Sequence, residues 1–149
     1  MDPLLGVMQR GFSLVELAVA LAIVGLVMAI TLPRFGYLLD RIAVERAASE
    51  LTTALAVTRH RAVLRATRAR LSIADDSLRI DQWEDRAWER ALRWPGPASH
   101  QVALNTSNPT IIFDPIGLGW GLANTRVVLS RGSQSATITL SRVGRVKRW

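Results

Sequence analysis

The sequence predicts an α+β protein: one long N-terminal helix with a mostly antiparallel sheet packed on its distal half. Two observations carry this prediction. An almost uncharged apolar run near the start passes into a segment of helical period, and the rest alternates apolar and polar residues between turn signals. The 149 residues suit one domain, and the apolar run removes part of that length from any soluble core.

The helix comes first. Residues 12–32 hold one charge, Glu16, and at about 1.5 Å rise per residue a helix of this length crosses the roughly 30 Å hydrocarbon layer of a bilayer. A charge near the membrane centre costs about 2.5–3.5 kcal/mol, so Glu16 is either a functional group or an acid near enough to the interface to stay hydrated. A cleaved secretory signal has a shorter apolar core ending in small residues. Here Gln9-Arg10-Gly11 precedes the run, and the run is long enough to remain as an anchor; an uncleaved signal anchor is the generic reading. Pro33 removes one backbone donor and is expected to bend or locally melt the helix. In residues 34–66, Phe35, Leu39, Ile42, Leu51, Leu55, Thr58 and Ala62 recur at helical spacing, with Arg34, Arg41, Glu45, Arg46, Glu50 and Arg59 largely elsewhere around the helix. This half is expected to cover a domain with its apolar stripe.

The period then changes, and residues 67–149 read as a sheet domain. Ala69, Leu71 and Ile73 alternate with Arg68, Arg70 and Ser72, and Leu78 and Ile80 follow a turn at Asp75-Asp76-Ser77, which predicts a hairpin. Further strands are expected near 100–105, 110–113, 126–130 and 135–141, with Gly132-Ser133 turning the last pair. Trp83, Trp88, Ala91 and Leu92 fit a short helix or an edge strand, and strand and loop is the better fit.

The formal charge of +7 is uneven. Residues 126–148 hold bases and no acid, while 75–93 hold half of the acids, a pattern that hints at an anionic partner. The arginines of residues 59–70 are expected to pair with the acidic 75–89 stretch of the same or a neighbouring subunit, the alternative being a nucleic-acid surface. Cysteine is absent, which excludes disulfides and thiolate metal sites. His60 and His100 are the only histidines and sit in no zinc or nucleophile motif. Gly117-Leu118-Gly119-Trp120-Gly121 lacks dinucleotide spacing and any P-loop lysine, and reads as a flexible turn or close subunit contact. Asp75, Asp76, Asp81 and Asp85 lack EF-hand spacing. No enzymatic activity, metal or cofactor is expected.

Gly11-Phe12-Ser13-Leu14-Val15-Glu16-Leu17 resembles the type III signal of type IV prepilins and pseudopilins. The resemblance implies a leader of residues 1–11, cut after Gly11 on the cytoplasmic side by a prepilin peptidase that methylates the new N-terminal Phe12. Residues 12–33 then form a membrane and filament-core helix, in which Glu16 neutralises the Phe12 amine of an adjoining subunit and sets axial register. The leader departs from the pattern in carrying Asp2, with Arg10 as its only base; Met8 would start a tidier leader. Ile112-Phe113-Asp114-Pro115-Ile116-Gly117 and the late Gly144-Arg145-Val146 look like the GspH/FimT-type branch. What this branch implies is a pilin-like subunit anchored once in the bacterial inner membrane, with its C-terminal domain in the periplasm and other pilins or pseudopilins as filament partners. One role is a minor pseudopilin of a type II secretion system. The other is a FimT-like minor pilin that binds DNA for uptake, with Arg145, Lys147 and Arg148 as the candidate contacts. Lys147 stands where DNA-binding members tend to have arginine, and lysine keeps the charge but loses the planar fork. In a strand, Arg145, Lys147 and Trp149 would share a face suited to phosphates and a stacking ring; a solvated basic edge that discourages sheet aggregation is the alternative.

Overall fold

The computed structural model describes residues 12–121 and 124–149, without the side chains of residues 32 and 33. The expected leader, including Gly11, lies outside the described residues. The chain divides into two compact units, residues 1–36 and 37–149, and one helix, α1 (Leu14–Arg65), contributes to both.

In the first unit Leu17, Val19, Leu21, Ile23, Leu26 and Ile30 are all exposed, so the helix there has no buried face. It is long and apolar enough to cross a membrane. The helix assignment continues through Pro33, so the local melting allowed for at that residue does not occur: a proline deletes one hydrogen bond, and the turns on either side keep theirs.

The second unit contains two four-stranded antiparallel sheets. The strands are β1 (Ala69–Ile73), β2 (Ser77–Glu84), β3 (Ala87–Pro95), β4 (Ala103–Thr106), β5 (Thr110–Phe113), β6 (Thr125–Arg131), β7 (Gln134–Leu140) and β8 (Val146–Arg148). The first sheet has the order β3-β2-β1-β5 and the second β4-β6-β7-β8. The Trp83 to Pro97 stretch is strand and turn, as its composition favours. Asp85 and Arg86 both have positive φ, the pattern of a two-residue I′ hairpin turn, and Trp83 pairs directly with Trp88. The strand expected at 100–105 begins later, at Ala103. Pro97–His100 form a 3-10 turn, because Pro97 presets the first helical position and Gln101 ends the turn in the left-handed region.

Burial shows why the helix belongs to the sheets. Val44, Ala47, Ala48, Leu51, Ala54, Leu55, Thr58 and Ala62 are buried at helical spacing, and meet Leu71, Ile80, Ile111 and Phe113 of the first sheet and Val127, Leu129 and Ile138 of the second in one core. The Thr58 hydroxyl donates to the Ala54 carbonyl at 2.6 Å, so its burial leaves no orphaned donor. The expected stripe is corrected at its start: Phe35, Leu39 and Ile42 are 59%, 56% and 41% exposed. The sheets cover the apolar stripe only from Ala43 onward, where most of the buried helix positions are alanine.

Three helix acids then meet two arginines and a histidine of the second sheet and its margins. Asp40 pairs with Arg131 at 2.8 Å, beside the β6–β7 turn. Glu45 pairs with Arg148 on β8, and Glu50 lies 3.0 Å from His100, in the 3-10 turn before β4. Arg131 also donates to the His100 carbonyl at 2.7 Å. Partly exposed pairs of this kind contribute about 0–1 kcal/mol each, so packing supplies the stability and the pairs fix the alignment.

The contrast along the helix is measurable. Leu51→Ala should lower unfolding free energy by about 2–5 kcal/mol, as buried leucines do. Leu39→Ala, on the same predicted stripe, should change it by less than about 0.5 kcal/mol, as exposed sites do. Urea unfolding followed by circular dichroism separates the two, and equal losses would contradict the burial boundary at Ala43.

Candidate functional site

The N-terminal site is built from few groups. Ser13 caps α1: its hydroxyl accepts from the Val15 amide at 3.3 Å, and its carbonyl accepts from the Leu17 amide at 3.1 Å. Glu16 lies in the first helical turn, where a carboxylate is favoured by the helix dipole. Phe12 is 82% exposed, so the first described residues offer one aromatic ring and one carboxylate in an otherwise apolar segment.

The second candidate is the basic tail. β8 pairs with β7 so that Lys147 faces Thr139, and Thr139 faces Arg126 on β6. Arg126, Thr139 and Lys147 therefore form one row across three strands. The pairing extends to Trp149, whose amide donates to the Thr137 carbonyl at 2.9 Å and whose carbonyl accepts from the Thr137 amide at 3.2 Å. Period two then puts Lys147 and Trp149 on one side, with the ammonium 4.8 Å from the ring centroid. Arg145 joins them, and these residues with Ser141 and Asn124 line a groove of about 500 Å³. Arg148 points the other way and is taken by Glu45. The three tail cations expected to act together are thus divided. Arg126 enters the site instead; the sequence places it at the start of a strand and of the acid-free basic stretch but not among the contacts, and its signal is the register, which needs the fold.

Arg145 is aimed by the turn before it. Gly144 has φ +75°, its amide donates to the Ser141 carbonyl at 2.9 Å, and the Arg145 carbonyl accepts from the Ser141 amide at 3.0 Å. A Cβ on Gly144 would lie 2.8 Å from the Gly117 carbonyl oxygen. Arg59 of α1 donates to the Gly144 carbonyl at 3.3 Å. The glycine-rich loop is a hydrogen-bonded turn at its start: Asp114 Oδ1 accepts from the Ile116 and Leu118 amides at 3.0 and 2.8 Å, and the Gly119 amide donates to the Arg142 carbonyl. Of the arginines in 59–70, Arg70 pairs with Asp81 at 2.6 Å and lies over the Trp88 ring, and Arg68 lies 3.8 Å over Trp120. Arg70 shows the internal pairing expected of that run.

Comparison with known proteins matches residues 7–32 to the prokaryotic N-terminal methylation motif and residues 47–144 to the type II transport protein GspH family. No curated protein sequence matches significantly. Among solved structures, the type IV minor pilin FimU of Pseudomonas aeruginosa PAO1 superposes with a TM-score of 0.63 at 14% identity, covering 72% of this chain and 88% of FimU. The minor pseudopilin EpsH of the Vibrio cholerae type 2 secretion system gives 0.58 at 12% identity, covering 71% of this chain and 95% of EpsH. At these identities the likeness establishes the α+β fold of one helix against antiparallel sheets.

The Gly144 turn supplies a direct test. Gly144→Ala combines a strained φ with a contact against the Gly117 carbonyl, and should destabilise the protein by about 1–3 kcal/mol. Thermal unfolding measures the loss, and a change in Trp149 fluorescence would report the displaced tail. An unchanged melting midpoint would show that the turn does not depend on glycine.

Proposed function

Since the chain belongs to the GspH family of type II transport proteins, we propose that it is a minor pseudopilin of a type II secretion system, a non-enzymatic structural subunit of the periplasmic pseudopilus that supports protein export. The observation that carries this reading is one continuous helix that begins at Leu14, two residues after Phe12, with Glu16 in its first turn, exposes apolar residues throughout its first unit, and then becomes a core element of the GspH-family domain. In this reading the precursor sits in the inner membrane with its domain in the periplasm, a prepilin peptidase cuts after Gly11 and methylates Phe12, and Pro33 provides a bend. The ammonium made at Phe12 meets Glu16 of a neighbour. In a low-dielectric bundle neither charge is tolerable unpaired, so pairing favours the single axial register that satisfies both.

The division of the tail cations favours export over DNA uptake, because the Glu45 pair withdraws Arg148 from the groove. A second reading, a minor pilin that binds DNA, is supported by one specific feature: the Arg126–Thr139–Lys147 row beside Arg145 and the Trp149 ring.

Co-expression with a prepilin peptidase should yield a product beginning at Phe12, read by mass spectrometry; retention of the leader while a control prepilin is processed would refute the proposal. Glu16→Ala should leave insertion and the periplasmic fold intact and abolish most crosslinking to partner subunits. Normal crosslinking would show that the amine pair is dispensable.

The DNA reading is tested by titrating labelled duplex at several salt concentrations. A site using Arg126, Arg145 and Lys147 would give a log–log slope near −3, reduced by about one unit on neutralising any of them and unaltered by Arg148→Gln. The secretion reading expects no binding near physiological salt.

A further inference from the structure

The outward face of the first sheet carries a second cationic concavity, separate from the tail groove. β1 buries Ala69, Leu71 and Ile73, so Arg70 and Ser72 point outward, and register extends that face across β2 and β3. One row across the three strands is Arg70, Asp81, Arg90; the next is Ser72, Arg79, Arg93. In the first row one buried carboxylate stands between two arginines in the register, and Arg70 alone holds it, at 2.6 Å. In the second row Arg79 stands directly opposite Arg93, an arrangement that destabilises an antiparallel pair when nothing neutralises it. Arg93 reaches Asp76 at 3.3 Å through a largely exposed contact. Among the described residues, no acidic side chain lies within ion-pair distance of Arg79 or Arg90.

A strand irregularity builds this cluster. Residues three apart on a strand normally point to opposite faces. The register of β3 shifts opposite Ile80 and Asp81, so that Arg93 pairs with Arg79 while Arg90 pairs with Asp81. The extra residue, Ala91, turns Arg90 to the same face as Arg93. Bulges that re-aim a side chain in this way mark functional positions more often than regular strand does. The resulting cavity, about 350 Å³, is lined by Arg79, Arg90 and Arg93 with the hydroxyl residues Ser72 and Ser77 and the carboxylate of Asp76.

We infer that this concavity is a binding site for a small soluble phosphate-bearing ligand. Planar guanidinium forks match the oxygens of a phosphate bidentately, and the Ser72 hydroxyl can satisfy an oxygen the forks leave open, while the Ser77 hydroxyl donates to Asp76 at 3.1 Å. Asp76 on the margin and the occupied Asp81 beside it confine the positive area, which suits a compact anion better than an extended polyanion.

The test uses the full-length chain in neutral detergent micelles, with inorganic phosphate as the probe and sodium chloride at matched ionic strength as the reference. At about ten times the dissociation constant, phosphate should raise the melting midpoint by about 4–8 °C. The double variant R79Q/R93Q should lose this increment while melting no lower than the parent in chloride, because it also removes the like-charge pair. The tail variant R145Q/K147Q should keep the increment. An equal concentration of succinate should give less than half the shift. Equal midpoints in phosphate and chloride, an increment that survives R79Q/R93Q, or one lost only in R145Q/K147Q would each overturn the site. A shift from succinate as large as that from phosphate would overturn the ligand class. A single-stranded oligonucleotide that outdoes inorganic phosphate at equal phosphate concentration, and loses that effect in R79Q/R93Q, would overturn the compact ligand.

Discussion

One helix must satisfy two different surroundings along a single backbone. In its first unit it exposes apolar side chains around its whole circumference; from Ala43 it buries one stripe and leaves the rest polar. The stripe is dominated by alanine, and this constrains the composition of both sheets. Small side chains on the helix leave the filling of the core to the sheets, where large residues such as Leu71, Ile80, Ile111, Phe113, Leu129 and Ile138 supply the bulk. A helix of large residues would hold the sheets apart. The sheets therefore supply most of the core volume, and the helix supplies the surface on which two separately hydrogen-bonded sheets share one interior.

Charge completes what packing begins. Packing determines that the sheets lie on the alanine stripe, and the acids flanking that stripe select where along it they stop. Arg148 illustrates how one residue type takes different roles within a few positions. Val146 packs partly against the core and Arg148 follows it towards the helix, while Lys147 points to the opposite side. Strand alternation thus splits a run that looks uniformly basic into an internal contact and a solvent-facing one.

Most of the architecture was legible in the sequence because it rests on periodicity. The long helix, the β1–β2 hairpin and the β6–β7 hairpin turned at Gly132-Ser133 all follow from local patterns. The errors have common physical causes. Phe35, Leu39 and Ile42 have the right spacing for the core, but periodicity does not say where along a helix the partner sheet begins. Pro97–His100 are a 3-10 turn because proline and a left-handed Gln101 outweigh neighbouring strand propensity. The site was less legible. Arg126 meets Lys147 through a register spanning three strands, and Arg90 joins Arg93 only through a bulge; neither relation has a local sequence signature.

The three helix acids and their partners also bear on how the molecule carries load. Asp40, Glu45 and Glu50 join the helix to the β6–β7 turn, to β8 and to the turn before β4, at three places across the second sheet. Sliding the helix by one turn, about 5.4 Å, would break all three contacts and lift the alanine stripe out of register in the same movement. Tension applied along the helix axis is therefore met by bonds acting in parallel, in shear, rather than by a series that opens one after another. Since each pair contributes only about 0–1 kcal/mol, the packed stripe bears most of that load and the three pairs serve to mark one position along it.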